Sequence, residues 1–163
     1  MTTPGTLNWG IIGPGTIARA FAGGVAHSKT GRLAAIASRS PSPDLAAKFP
    51  GARVLTGYDA LLADKEVEAV YISTPHPQHA EWAIKAAEAG KHVLVEKPLA
   101  LSAFEIDAVF HAHKKAGTFA GEAYMYRLHP MIARLLDLIR SGAIGEVRMI
   151  QSSFGYQMGS IDP

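Results

Sequence analysis

Glu96-Lys97-Pro98 sets a carboxylate and an ammonium directly behind the apolar run Val93-Leu94-Val95. An ammonium carried out of a buried strand can hydrogen-bond a substrate oxygen. Partial desolvation would ready it for proton transfer, and Glu96 could orient it. The same spacing fits a surface lysine paired with its neighbour, and on these residues alone both readings stay open. A second polar segment, Ser73-Thr74-Pro75-His76-Pro77-Gln78-His79, follows the apolar run Ala69–Ile72. A third group, Gly13-Pro14-Gly15-Thr16-Ile17-Ala18, follows Leu7–Ile12. There Gly13 permits a tight turn, Gly15 lets an anion approach the main chain, and Ala18 lets a helix lie close to a sheet. Thr16 and Ile17 open that helix, and its first amides and its dipole favour a diphosphate. With a strand before it and a helix after it, the pattern reads as a dinucleotide fingerprint, against the alternative of an ordinary turn that binds nothing.

The residue facing the adenosine ribose is the next test. An acid about 20 residues past the glycines usually accepts from the ribose 2′-hydroxyl. The run Leu33–Ala37 ends instead in Ser38-Arg39-Ser40. A carboxylate would repel a 2′-phosphate, whereas a guanidinium pairs with one bidentately and stacks on adenine. Two hydroxyls add donors. The cofactor is therefore read as NADP(H) in preference to NAD(H), the alternative for Arg39 being a solvated loop arginine. Asp44 lies too far along, in the next helix, to replace the missing acid.

These groups need elements to hold them. Strand and helix patterns alternate, which calls for a doubly wound α/β architecture of Rossmann type. Strand candidates are Leu7–Ile12, Leu33–Ala37, Arg53–Leu55, Ala69–Ile72, His92–Val95 and Thr118–Ala120. In such sheets ligands lie outside the carboxyl ends of the strands, where all the segments above emerge. Ala80, Ala83, Ile84 and Ala87 make a helical stripe, and Gly90 suits a left-handed cap behind it. Ser102 with Glu105 is a capping box, opening a helix that carries Ile106, Val109 and Phe110 on one side and ends at Gly117. Ile132, Leu135, Leu136 and Ile139 form a further stripe, ended near Gly142. Glu146–Phe154 reads as one more strand. An isolated strand is an unpaired edge, so it is expected to begin a second, α+β domain that is cut short, in preference to a seventh strand that extends the first sheet. The expected division is 1–122 for the dinucleotide domain and 123–163 for a linking helix and the start of the second.

Composition narrows the classes. The 163 residues are 48% hydrophobic and 18% charged, a globular balance. Sixteen basic and 14 acidic residues give a net charge of +2, scattered along the chain, so neither nucleic acid nor a membrane surface is an expected partner. Without cysteine there are no disulfides or thiolate metal sites. The first residues lack the basic and apolar regions of a signal peptide, and a cytoplasmic protein is expected.

The ordered series Gly13–Ala18, Ser73-Thr74-Pro75 with His79, Glu96-Lys97-Pro98-Leu99, and Glu122-Ala123-Tyr124-Met125-Tyr126-Arg127-Leu128-His129-Pro130 resembles the glucose–fructose oxidoreductase, inositol dehydrogenase and rhizopine catabolism family, Gfo/Idh/MocA. Gly142–Arg148 resembles its entry into a second domain. The form of residues 122–130 is similar to the dihydrodiol and pentose dehydrogenase branch. The resemblance implies an NAD(P)-dependent oxidoreductase of two domains that moves a hydride between nicotinamide and a sugar, cyclitol or related diol. It gives Lys97 a place beside the reacting centre and implies a cis Lys97–Pro98 bond. It sets Thr74, Pro75 and His79 by the nicotinamide ribose, and Tyr126 and Arg127 near nicotinamide and substrate. Family members supply further catalytic side chains and a dimer interface from the second domain, so a homo-oligomer is implied at full length. The present residues alone are expected to bind dinucleotide with little turnover.

The remaining candidates read plainly. His111 and His113 are two apart on a helix and cannot chelate together, and His76 with His79 lacks a third ligand, so no metal is expected. Tyr124 and Tyr126 alternate on one face of an extended chain, which suits packing as well as substrate contact. Competing functions are a non-catalytic NADP-sensing module and a redox glycosidase that keeps and recycles NAD. Ser38-Arg39-Ser40 argues against the second of these.

Overall fold

The computed structural model describes residues 5–155. Its strands are β1 (Leu7–Ile12), β2 (Gly31–Ser38), β3 (Arg53–Thr56), β4 (Ala69–Ile72), β5 (His92–Val95) and β6 (Ala120–Glu122). They form one sheet in the order β3-β2-β1-β4-β5-β6, with every neighbouring pair parallel. Helices α1 (Thr16–Ala26), α2 (Leu45–Lys48), α3 (Tyr58–Leu62), α4 (His79–Glu88) and α5 (Ala103–Ala116) follow the first five strands in turn. This is the doubly wound Rossmann order, and the strand sequence reverses between β1 and β4.

The central strands are apolar on both faces because helices cover both. Ile12, Val70 and Ile72 join Leu61, Ala83 and Val109 in one core layer. Their chain neighbours Ile11 and Tyr71 join Ala18, Ile36 and Phe49 in the other. Each fully buried isoleucine contributes about 1.5–3 kcal/mol by leaving water. On the second face Phe21 of α1 stacks on Tyr71 of β4, with ring centroids 3.9 Å apart and planes 5° apart, while Trp9 of β1 meets Phe21 edge-on at 5.1 Å. These aromatic contacts fix α1 across the point where the strand order reverses.

Helix ends follow local chemistry. The Ser102 hydroxyl caps α5 by accepting from the Glu105 amide, while the Glu105 carboxylate accepts from Leu101 N, one residue short of a reciprocal box. Gly90 and Gly117 adopt the left-handed backbone expected behind α4 and α5.

Three expectations are corrected, and the inner face of α5 is defined. Strand β6 begins at Ala120, two residues late, because Thr118 N still bonds His113 O and Phe119 N bonds the His92 ring. On the side of α5 that carries Ile106, Val109 and Phe110, only Val109 is buried, Ile106 and Phe110 being 36% and 47% exposed; the inner face is Val109 with His113. The buried imidazole of His113 lies 3.0 Å from Ala83 O and 2.7 Å from Thr118 Oγ1, which fixes the helix rotation. Tyr124 and Tyr126 do not alternate along extended chain, since Met125–Leu128 is a 3-10 turn. Residues 146–154 form no strand: none of them belongs to the described sheet, and a strand exists only through its neighbour.

The chain divides into two compact units, residues 1–124 and 125–163. In the second, α6 (Pro130–Arg140) is opened by Pro130 and by the His129 ring, which accepts from Met131 N. Among the described residues no helix is long and apolar enough to cross a membrane.

Candidate functional site

Strand register decides which residues meet. Ile12 stands beside Ala37 and Ile72, Ile72 beside Val95, and Val95 beside Glu122. The next residue of each strand therefore falls in one row at the carboxyl edge: Ser38, Gly13, Ser73, Glu96 and Ala123. Main-chain bonds continue the ladder into this row, from Ser73 N to Ile12 O at 2.9 Å, Glu96 N to Ile72 O at 2.9 Å and Ala123 N to Val95 O at 2.8 Å. The three sequence segments with chemical potential are thus side by side.

The turn after β1 depends on glycine. Gly13 has φ +93°, and a Cβ there would stand 2.8 Å from Ser73 O and 2.9 Å from Ser73 C. Ser73 closes the same junction by donating its hydroxyl to Gly13 O at 2.7 Å. A Cβ at Gly15 would meet nothing within 4 Å, so the space above it is open. Gly15 is the N-cap of α1. It brings no capping side chain, and no acid stands in the first turn. The amides of that turn are left for an anion.

At the end of β2, Arg39 is exposed, and no carboxylate among the described residues pairs with it. Ser38 is buried and its Oγ accepts from Ser40 N at 3.3 Å, which shapes the turn and leaves the Ser38 hydroxyl proton available. Asp44 is engaged with Lys48 and Ser42.

A cavity of about 260 Å³ opens between the β1, β4 and β5 turns, lined by Ile17, Ser73, Thr74, His76, His79, Glu96 and Lys97. Thr74 is 6% exposed, yet its hydroxyl has no hydrogen-bond partner among the described residues. Glu96 is not the ion partner of Lys97. Its Oε1 accepts from the Tyr71 hydroxyl and its Oε2 from Lys97 N at 3.3 Å. Burial first, and the adjoining carboxylate second, push the Tyr71 phenol well above its usual range, so it stays protonated and donating. The Lys97–Pro98 bond is cis, as expected. Leu99 N donates to Glu122 Oε1 at 2.9 Å. Lys97 itself is exposed, and no described carboxylate bridges its ammonium.

His79 differs from expectation. It is completely buried, with Nδ1 2.7 Å from Pro98 O and Nε2 2.8 Å from Thr74 O, so neither ring nitrogen is open to a ligand. Tyr126 and Arg127 lie in the second unit, in the Met125–Leu128 turn. Sequence reasoning missed Ser73 as the tie to Gly13, Tyr71 as the donor to Glu96 and Glu122 as the anchor of Leu99. A larger groove of about 910 Å³ runs between α4 and α5, lined by Ile84, Phe104, Ala108 and their neighbours, but none of the turn residues reaches it.

A parallel six-stranded sheet whose glycine turn and uncapped α1 terminus meet at the strand reversal defines a Rossmann-type dinucleotide-binding domain. Residues 7–124 match the family model described as "Oxidoreductase family, NAD-binding Rossmann fold", and the chain belongs to this Gfo/Idh/MocA family. It is 46% identical over 101 residues to D-xylose 1-dehydrogenase (NADP(+)) 2 of Haloferax volcanii, covering 62% of this chain and 31% of that one. It is 32% identical over 159 residues to trans-1,2-dihydrobenzene-1,2-diol dehydrogenase of Mus musculus, covering 95% and 48%. A crystal structure of KijD10, a 3-ketoreductase from Actinomadura kijaniata in complex with NADP and TDP-benzene, superposes with a TM-score of 0.81 at 34% identity, covering 88% of this chain and 45% of that one. The chain thus spans less than half the length of each of these relatives.

Proposed function

We propose that this chain is the dinucleotide-binding part of an NADP-dependent oxidoreductase that moves a hydride between nicotinamide and a sugar, cyclitol or related diol. In this reading residues 123–163 are the linking helix and the start of the substrate domain. The observation that carries it is the pairing of an open, uncapped glycine turn with an exposed, unpaired Arg39 at the adjoining strand end. Relatives support it: the xylose dehydrogenase is named for NADP(+), and the KijD10 crystals hold NADP.

The residues fit such a cofactor on three counts: the space a Cβ would fill at Gly15, the orphaned Thr74 hydroxyl, and the unpaired guanidinium. When bound, a nicotinamide cofactor supplies hydride exchange with a carbinol or carbonyl carbon. The amides of Thr16 and Ile17 would donate hydrogen bonds to the diphosphate, with the helix dipole favouring its charge. Arg39 holds the 2′-phosphate, with Ser38 and Ser40 as added donors. Thr74 gives its free hydroxyl to the nicotinamide ribose, and Pro75 and Ile17 exclude water beside it. Lys97 holds the substrate oxygen and moves its proton. Glu96, held by Tyr71, keeps the main chain at Lys97 in place without neutralising the ammonium. The roles of Tyr126 and Arg127 beside substrate rest on the family resemblance.

Titration of the purified chain with NADPH and NADH tests this reading. NADPH should bind more tightly, and Arg39→Asp should reverse the order, since a phosphate–guanidinium pair is worth about tenfold or more in affinity. Equal affinities before substitution would refute the phosphate assignment.

A further inference from the structure

We propose that His79 is a positioning residue, its ring tying the turn that leaves β4 to the turn that leaves β5 and so fixing Thr74 and Lys97 relative to each other. This rests on the reading above, in which the nicotinamide half of the dinucleotide lies between those two turns.

His79 is the first residue of α4, and its ring has no exposure at all. Its two nitrogens reach two main-chain carbonyls that are far apart in sequence, Thr74 O at 2.8 Å and Pro98 O at 2.7 Å. Both partners are acceptors, so the ring serves them with one N–H when neutral and two when protonated. Thr74 carries the orphaned hydroxyl, and Pro98 directly follows Lys97. The ring therefore touches the main chain of one residue proposed to hold the cofactor and the neighbour of the residue proposed to move the proton. No other described side chain bonds both turns. Ser73 reaches back to Gly13, Tyr71 holds Glu96, and Glu122 holds Leu99. Lost freedom in these turns is what makes a binding site ready before its ligand arrives.

The arrangement also separates His79 from the adenosine end. The residues assigned to the 2′-phosphate follow β2, on the other side of β1, and the ring bonds none of them. Loss of the ring should therefore be felt by the nicotinamide half alone.

The test is His79→Phe in the 163-residue chain, which keeps an aromatic ring and removes both nitrogens. NADPH affinity should fall by about tenfold, while adenosine 2′,5′-bisphosphate affinity stays within about twofold. Amide hydrogen exchange at Thr74, His76, Lys97 and Leu99 should accelerate without nucleotide, and His79→Gln, which retains an N–H donor, should recover part of both effects. An equal loss for both nucleotides, or unchanged exchange in these turns, would overturn the proposal. If His79→Phe does not fold, the same comparison is made with His79→Gln, whose smaller effects must still be confined to NADPH and these turns. A wild-type chain that binds neither nucleotide refutes the dinucleotide reading, and the exchange measurement still decides the clamp.

Discussion

The Tyr71 hydroxyl of β4 donates to the carboxylate of Glu96, the residue that follows β5, so one Glu96 oxygen is engaged there and not by the ammonium of Lys97. Tyr71 is held in turn by the stacked ring of Phe21 on α1. The helix that opens the glycine turn and the segment that carries the lysine therefore share one anchor. Tyr71→Phe keeps the stack and deletes the donor. It should cost about 1.5–3 kcal/mol, the usual worth of a hydrogen bond to a charged group. In a double-mutant cycle with Glu96→Ala, followed by urea unfolding, the two losses should overlap by about 1 kcal/mol. Simple additivity would mean that hydroxyl and carboxylate do not interact.

The two glycines of the first turn should behave in opposite ways. Gly13→Ala forces a Cβ onto the Ser73 main chain at a positive φ, so it should cost about 2 kcal/mol or more and abolish NADPH binding. At Gly15 the backbone is extended and the space is open, so alanine should leave the melting temperature within about 2 °C. It would still occupy the volume assigned to the diphosphate, and NADPH affinity should drop by about tenfold or more. Thermal melts beside nucleotide titrations separate these outcomes. Parallel behaviour of the two variants would contradict the assignment of Gly15 to the phosphates.

Much of this was legible beforehand because it is periodic or local. Strands β1, β4 and β5 sit where their apolar runs ended, and capping at Ser102 and the left-handed turns at Gly90 and Gly117 follow from nearest neighbours. The row Ser38, Gly13, Ser73, Glu96 follows once the strand order is assumed. What escaped was set by side chains meeting across long sequence distances. Tyr71 looks like any apolar strand residue until Glu96 is beside it. His113 looks like a surface histidine until Ala83 O and Thr118 turn it inward and rotate α5. His79 carries a polar ring in a motif that suggests ligand contact, and only its burial between two carbonyls reveals a framework role.

His113 also makes a pH prediction. Burial holds its ring below the ordinary histidine value of about 6.5, outweighing the Ala83 carbonyl that favours the protonated form. As pH falls below that value the unfolded chain takes up the proton before the folded one does. Stability is therefore fully present above about pH 6.5 and is lost from there down to the folded ring's own titration. Urea midpoints should fall as the pH drops below about 6.5, and less steeply in His113→Gln than in the wild type. Equal slopes would assign the acid sensitivity to other groups.

Thr74 sets stability against binding within one side chain. Its hydroxyl is buried and meets no hydrogen-bond partner among the described residues, an arrangement that native chains rarely keep. Valine has nearly the same shape and no orphaned oxygen, so Thr74→Val should stabilise the free chain by about 1 kcal/mol. The same change removes the donor proposed for the nicotinamide ribose, and NADPH affinity should fall about five- to tenfold. Thr74→Ser, which keeps the hydroxyl, should retain binding and lose stability through the missing methyl. Melting temperature and NADPH dissociation constant measured on the same preparations decide the matter. A valine variant that binds as tightly as the wild type would make the hydroxyl a packing accident, and the cavity beside it would lose its claim to the cofactor.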